Sequence, residues 1–350
     1  MVITPTRELA EQIEHVAKEF AKGLINMRTA LVIGGAPMPP QLHRLKRNVQ
    51  LLVGTPGRII DLLSHHENVL SVARVKMVVF DEVDVMLQMG FRNQISLIID
   101  GIPCKPQYAM FSATVPAEIE NLAASILKSP IFVSVGSQGL PNKMVKQIII
   151  WVEEASKRKK LFSILAEKKY FSPPALVFVN SKLGADMLTS VIAEKFSLKC
   201  ESLHSDKPQG ERSKILSHLL DNVYDIVVCT SVIARGIDLV NVNQVIVFDM
   251  PNTIEEYVHQ IGRAGGLASK GFVMSFVNKG DKKLLSDLKD LCDASGVRVP
   301  DELKNSPYLV SEREKRERRN KGKAKHPKPW CEEKVTSQNL LQILTKNTRR

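Results

Sequence analysis

The stretch Val75-Lys76-Met77-Val78-Val79-Phe80-Asp81-Glu82-Val83-Asp84 decides how the chain is read. Its apolar half, residues 75–80, reads as a short strand covered on both faces, as strands of parallel sheets are. Three acids, Asp81, Glu82 and Asp84, then fall together at the strand's carboxyl end, where open α/β sheets hold their ligands. Carboxylates so placed can hold a Mg²⁺ and polarise a water that attacks a phosphate. Alone the pattern is weak, since acidic turns after strands are common and mostly solvated. A second apolar run, residues 108–111, delivers Ser112-Ala113-Thr114 to the same sheet rim, about one strand-helix-strand unit downstream.

Working outward, residues 2–4 end a strand that turns through Pro5-Thr6-Arg7 into a helix. Leu9, Ile13, Val16, Ala17, Phe20 and Leu24 recur there at helical spacing, so this face is expected in the core, with Gly23 closing the helix. A strand at 29–33 leads into Gly34-Gly35, and one at 49–53 into Gly54-Thr55-Pro56-Gly57-Arg58. Strands alternating with helices, each strand ending in a Gly- or Ser/Thr-rich turn, predict a parallel α/β sheet. Gly136, Ser137, Gly139 and Pro141 then mark a linker. A second α/β series follows, with strands at 145–153, 175–179, 225–229 and 245–248. A helix opens at Lys157, with Leu161, Ile164 and Leu165 turned inward.

Length and composition fit two globular domains. The chain has 350 residues, 44% of them hydrophobic, with no apolar run of membrane-spanning length and no charged-then-apolar leader. Cys104, Cys200, Cys229, Cys292 and Cys331 are scattered without a CxxC pair, which argues against structural zinc and for a reduced, intracellular setting. The net charge of +12 points to a polyanion partner. Residues 311–350, with 13 Lys and Arg against 5 Asp and Glu, carry +8 of it and leave +4 to the rest. That basic tail reads equally as a solvated, disordered end and as an RNA-gripping or nuclear-import segment.

With these residues in this order, the chain resembles the DEAD-box RNA helicases over nearly its whole length. DEVD at 81–84 stands where the family has DEAD, and SAT at 112–114 is unchanged. PTRELA at 5–10, the Gly34-Gly35 pair and TPGR at 55–58 match its RNA-contacting motifs. His204-Ser205-Asp206 with Gln209 and Arg212, then Thr230, then Ala234-Arg235-Gly236-Ile237-Asp238, then YVHQIGR at 257–263 match the second half. The segments 37–45, 149–162, 182–186 and 305–309 narrow the likeness to one numbered subgroup, which carries a HIT-type zinc finger that this sequence lacks.

The resemblance implies two RecA-like parallel-sheet domains in tandem, with ATP and Mg²⁺ as cofactors and RNA as partner. It implies a partial ATP-binding domain at 1–135, a linker at 136–145, a C-terminal helicase domain at 146–309 and the tail at 310–350. Asp81 would hold Mg²⁺, Glu82 would orient or deprotonate the attacking water, and Ser112 and Thr114 would bond toward Asp84 to couple hydrolysis to closure. Gly236, Asp238, His259 and Arg263 would face the nucleotide. RNA contacts would come from Pro5, Thr6, Arg7, Gly34, Gly35, Thr55, Pro56, Gly57, Arg58, Gln209, Arg212, Thr230 and Arg235, through phosphates and without base readout. A nuclear or cytoplasmic location follows.

Three departures qualify the likeness. No GxxxxGK[ST] phosphate loop occurs in the 350 residues, so the first domain is expected to lack its P-loop strand and helix. Met1 then reads as internal to a longer protein. Such a polypeptide should bind ATP poorly and hydrolyse it negligibly, and its first domain should suffer from exposed strand edges. The family's aspartate is Ser231 here, and its arginine finger falls at Gly266. These departures keep open a non-catalytic RNA-binding or scaffold protein on the same fold. A DNA translocase fits worse.

Overall fold

The computed structural model describes residues 1–66, 68–134, 145–231, 242–265 and 271–309. The first lobe runs β1 (Val2–Ile3), α1 (Arg7–Ala21), β2 (Thr29–Val32), α2 (Met38–Leu45), β3 (Leu51–Gly54), α3 (Pro56–His65), β4 (Met77–Phe80), α4 (Val83–Gln88), α5 (Arg92–Asp100), β5 (Gln107–Met110) and α6 (Ala117–Ile126). Its five strands lie in the order β2-β3-β1-β4-β5, all parallel. Parallel neighbours need crossovers, which the helices supply.

The second lobe runs β6 (Val145–Trp151), α7 (Lys157–Ala166), β7 (Ala175–Val179), α8 (Lys182–Phe196), β8 (Cys200–Leu203), α9 (Gln209–Leu220), β9 (Ile226–Thr230), β10 (Gln244–Val247), α10 (Ile254–Ile261), β11 (Gly271–Val277), α11 (Leu285–Ser295) and α12 (Asp301–Lys304). Its sheet is β6-β11-β10-β7-β9-β8, again parallel. Every residue of β7, β9 and β10 is buried. Along β7 the pleat splits an unbroken apolar run between two cores. Ala175, Val177 and Val179 pack with Leu161, Leu165 and Ile192 of α7 and α8, while Leu176 and Phe178 pack with Leu216, Tyr257 and Leu288 of α9, α10 and α11.

The first lobe is lopsided. One face packs Ile3, Val32, Val78 and Phe80 against Ile59, Leu62, Ile95 and Ile98 of α3 and α5. The other face has α1, and its buried cluster is Ala10, Ile33 and Val53. The helical periodicity of α1 therefore misassigned part of its inward face. Leu9 is buried, but Val16, Phe20 and Leu24 are exposed, Phe20 at 81%, while Glu8 and Glu14 are buried instead. Spacing fixes which residues share a stripe; it does not fix which stripe finds a partner. Gly23, at φ +85°, does follow the helix end.

The outer edge of β5 is unpaired in the sheet order. A groove of about 1000 Å³ runs beside it, lined by Tyr108, Met110, Phe111, Ile131 and Val133 among others. Phe111, Ile131 and Val133 are exposed there. Open apolar edges of this kind are ready to pair with a further strand.

Candidate functional site

β4 ends at Phe80 and hands the chain to Asp81 and Glu82 on the rim. Glu82 sits at φ +52°, the left-handed region that non-glycine residues enter at a cost, at the position that starts α4. Asp81 Oδ1 accepts from the Glu82 backbone N–H at 3.0 Å. Asp84, in the first turn of α4, is buried at 2% exposure.

Ser112 and Thr114 close on Asp84. Asp84 Oδ2 accepts from the Thr114 backbone N–H at 3.0 Å and from Thr114 Oγ1–H at 2.9 Å. Ser112 Oγ accepts from the Asp84 N–H at 3.3 Å and donates to the Thr114 carbonyl at 2.7 Å. Across the cleft His259 of α10 brings Nε2 to 3.5 Å from Asp84 Oδ2, an electrostatic contact rather than an aligned hydrogen bond. Burial works against the Asp84 carboxylate. The His259 ring and the Thr114 donors outweigh it and hold the group below the usual carboxylate range. One turn beyond His259, Arg263 brings Nη2 to 3.9 Å from Glu82 Oε1. Residues far apart in sequence on two separate lobes thus meet at a single cleft.

A second cross-cleft contact joins α1 to α9. Arg212 Nη2 lies 2.5 Å from Glu8 Oε1, both groups buried. Gln209 Nε2 donates to Glu8 Oε1 at 3.1 Å and Glu11 Oε1 at 3.3 Å, and Ser213 Oγ donates to Glu11 Oε2 at 2.9 Å. Burial, aided by the Glu8 charge, raises the Glu11 pKa, with the Ser213 and Gln209 donors opposing. Gln209 and Arg212 therefore face the other lobe. Glu8, Glu11 and Ser213 are the partners that sequence reading missed, since nothing local links them to residues about two hundred positions away.

On the rim of the first lobe, Arg7 lies against Gly34-Gly35 so closely that a Cβ at Gly35, where φ is +76°, would overlap its guanidinium. Arg58 Nη2 donates to the Ala36 carbonyl at 3.3 Å. The two arginines bracket one loop. Pro5 and Thr6 are buried, and Thr6 Oγ1 caps α1 by accepting from the Leu9 N–H at 3.4 Å. Thr55 precedes α3, Pro56 takes its first position and Gly57 is exposed beside it. Thr230 ends β9, buried. Next to it, Ser231 Oγ accepts from Gln260 Nε2 at 3.1 Å. Arg235, Gly236, Asp238 and Gly266 lie outside the described residues, as does the tail at 310–350.

Among the described residues no three His, Cys, Asp or Glu side chains form a metal cage, and no helix is long and apolar enough to cross a membrane. A Mg²⁺ needs less than a cage, since it is held by one or two carboxylates with substrate phosphates and water. Asp81, on the rim beside Glu82, fits that role.

Two parallel α/β lobes thus face each other across two carboxylates, a histidine and an arginine. Residues 1–122 match the DEAD/DEAH box helicase family and residues 156–267 the helicase conserved C-terminal domain, and the chain belongs to that family. It is 44% identical over 349 residues to "Probable ATP-dependent RNA helicase DDX59" of Homo sapiens, covering 100% of this chain and 55% of that protein. It is 46% identical over 310 residues to "DEAD-box ATP-dependent RNA helicase 41" of Oryza sativa subsp. japonica, covering 89% and 57%. The chain thus spans about half the length of these relatives. Among solved structures, S. cerevisiae Dbp5 bound to RNA and ADP BeF3 aligns with a TM-score of 0.73 at 25% identity, over 89% of this chain and 81% of that one.

Proposed function

We propose that the chain carries the two-lobed motor of an ATP-dependent RNA helicase, in which ATP hydrolysis stimulated by RNA remodels RNA duplexes. The observation that carries this reading is the pair of contacts across the cleft, His259 to Asp84 and Arg263 to Glu82. Those contacts put a cation from one lobe beside the acid that the motif order assigns to water activation.

In this reading Glu82 orients or deprotonates the attacking water, its carboxylate standing in the cleft 3.9 Å from Arg263 Nη2. Asp81 holds Mg²⁺, which when bound neutralises phosphate charge. Asp84 does not reach the substrate. It ties Thr114 on one lobe to His259 on the other, so that closure and the placement of the catalytic rim occur together. Arg263 faces the same space and meets phosphate charge when the lobes close. RNA runs over the rim formed by Arg7, Gly34, Gly35, Gly57 and Arg58, held by phosphate contacts with little sequence preference. The working compartment is then the nucleus or cytoplasm.

The test compares RNA affinity and RNA-stimulated ATP hydrolysis in this chain and in the same chain preceded by a segment bearing GxxxxGK[ST]. Both should bind RNA, and hydrolysis should appear with the phosphate loop and fall by about 10²-fold or more in Arg263→Ala. RNA binding without hydrolysis in either form, and unaffected by ATP, would replace this reading with a non-catalytic RNA-binding scaffold. The Gly266 position favours that second reading. Gly266→Arg should raise the rate if an arginine belongs there.

A further inference from the structure

The layer of the second lobe turned away from the cleft carries a charge pattern that its fold does not require. α7 opens with Lys157, Arg158, Lys159 and Lys160 and has no acid in its first turn. The first turn of a helix favours acids, because the backbone dipole leaves it partly positive. Lys157 is explained locally, since it is buried and lies 2.9 Å from both Glu154 Oε2 and Asp249 Oδ1. Arg158, Lys159 and Lys160 are exposed, and no ion pair holds them among the described residues.

The pattern continues past the helix. Lys168 and Lys169 are exposed just beyond α7, with Lys169 Nζ 5.6 Å over the Tyr170 ring. α8 packs beside α7 through an edge contact of Phe162 with Phe196 at 5.5 Å, and exposed Lys195 sets Nζ 4.7 Å over the Phe162 ring. Of the acids on α7, α8 and their flanks, Glu154 is paired with Lys157, Glu153 lies 3.7 Å from Lys279 and Asp186 accepts from Ser202. That leaves Glu167 and Glu194 against the six cations Arg158, Lys159, Lys160, Lys168, Lys169 and Lys195. A helix end made of like charges against its own dipole is a local conflict of the kind that functional surfaces carry. Cations interleaved with aromatic rings suit a nucleic-acid backbone with exposed bases.

The structure assigns to this α7–α8 face a second RNA-binding surface, one that grips the phosphates of RNA extending beyond the cleft. It rests on the RNA-binding part of the proposed function. Cleft contacts use α9 and α10, whereas this face lies on α7 and α8, across the sheet. A short RNA would fill the rim alone, and a longer one would reach both surfaces.

The experiment uses this chain with two single-stranded RNAs, one of about 10 nucleotides, the size a cleft holds, and one of about 30. Arg158→Glu with Lys159→Glu, Lys168→Glu and Lys169→Glu should leave the short RNA bound as before. The same variant should weaken the long RNA by about 10-fold at moderate salt and flatten its log-log salt dependence by about 0.7 per lost phosphate contact. The matching set of Lys→Gln and Arg→Gln changes should give a smaller loss in the same direction, which separates lost contact from repulsion. Unchanged binding of both RNAs would overturn the assignment and leave the face to an acidic protein partner. Equal weakening of both would also overturn it, as the effect of net charge alone. Failure of the parent chain to bind the short RNA would strike at the cleft reading, while the long-RNA comparison would still report on this face.

Discussion

The two lobes are built from the same parallel plan, yet they are finished differently. In the second, helices cover both sides of the sheet, and three adjacent strands, β10, β7 and β9, are wholly buried. In the first, one side has a full helical layer and the other a small cluster around Ala10, Ile33 and Val53, with β5 left as a partly exposed edge. The difference teaches where the fold stores its stability and where it stores its chemistry. The acids and hydroxyls sit on the thinly covered lobe, and the well-packed lobe presents Arg212, His259 and Arg263 to them.

If that division is right, Phe178→Ala, in the middle of the second sheet, should cost about 3–5 kcal/mol in urea denaturation of the second lobe. Met110→Ala at the open β5 edge should cost much less. Comparable losses at the two sites would remove the contrast. Arg212→Ala should come next, because it strands a Glu8 carboxylate that is buried in the closed arrangement. The lobes can relieve that charge by parting, so the effect should appear as a lower closed population by interlobe fluorescence transfer. A closed population equal to that of the parent would show that the α1–α9 contact does not hold the lobes together.

Asp84 sharpens the comparison through pH. Its carboxyl is held below the ordinary range in the folded protein, against about 3.9 in an unfolded chain. Its contribution is therefore fully present above that unfolded value and is lost as pH falls through the lower folded one. Asp84→Asn should weaken closure at pH 7 by about 1–3 kcal/mol and should lose that acid-dependent component. An unaltered acid transition would mean the His259 contact contributes nothing. The smallest effects compare one cap per lobe. Ser181→Ala removes a 2.8 Å bond to the Gly184 N–H, and Thr6→Ala a 3.4 Å bond to the Leu9 N–H. Each should cost about 1 kcal/mol, with the shorter bond costing more.

How much was legible in the sequence follows from range. The strand at Ala175–Val179 is where its apolar run put it, and β4 hands its acids to the rim. These features depend on a few neighbouring residues and on the pleat. α1 was half legible: the helix was plain, but the exposure of Val16, Phe20 and Leu24 was not, because a stripe's burial depends on what packs over it.

What the sequence determined by itself is the alternation of strands and helices, the order of the chemical turns and the family to which they belong, because each is written in contiguous residues. What only the tertiary structure decided is which of those turns touch. Glu8 with Arg212, Asp84 with His259 and Glu82 with Arg263 are separated by half of the chain or more. Their meeting depends on how two sheets face one another, a relation that no local spacing encodes.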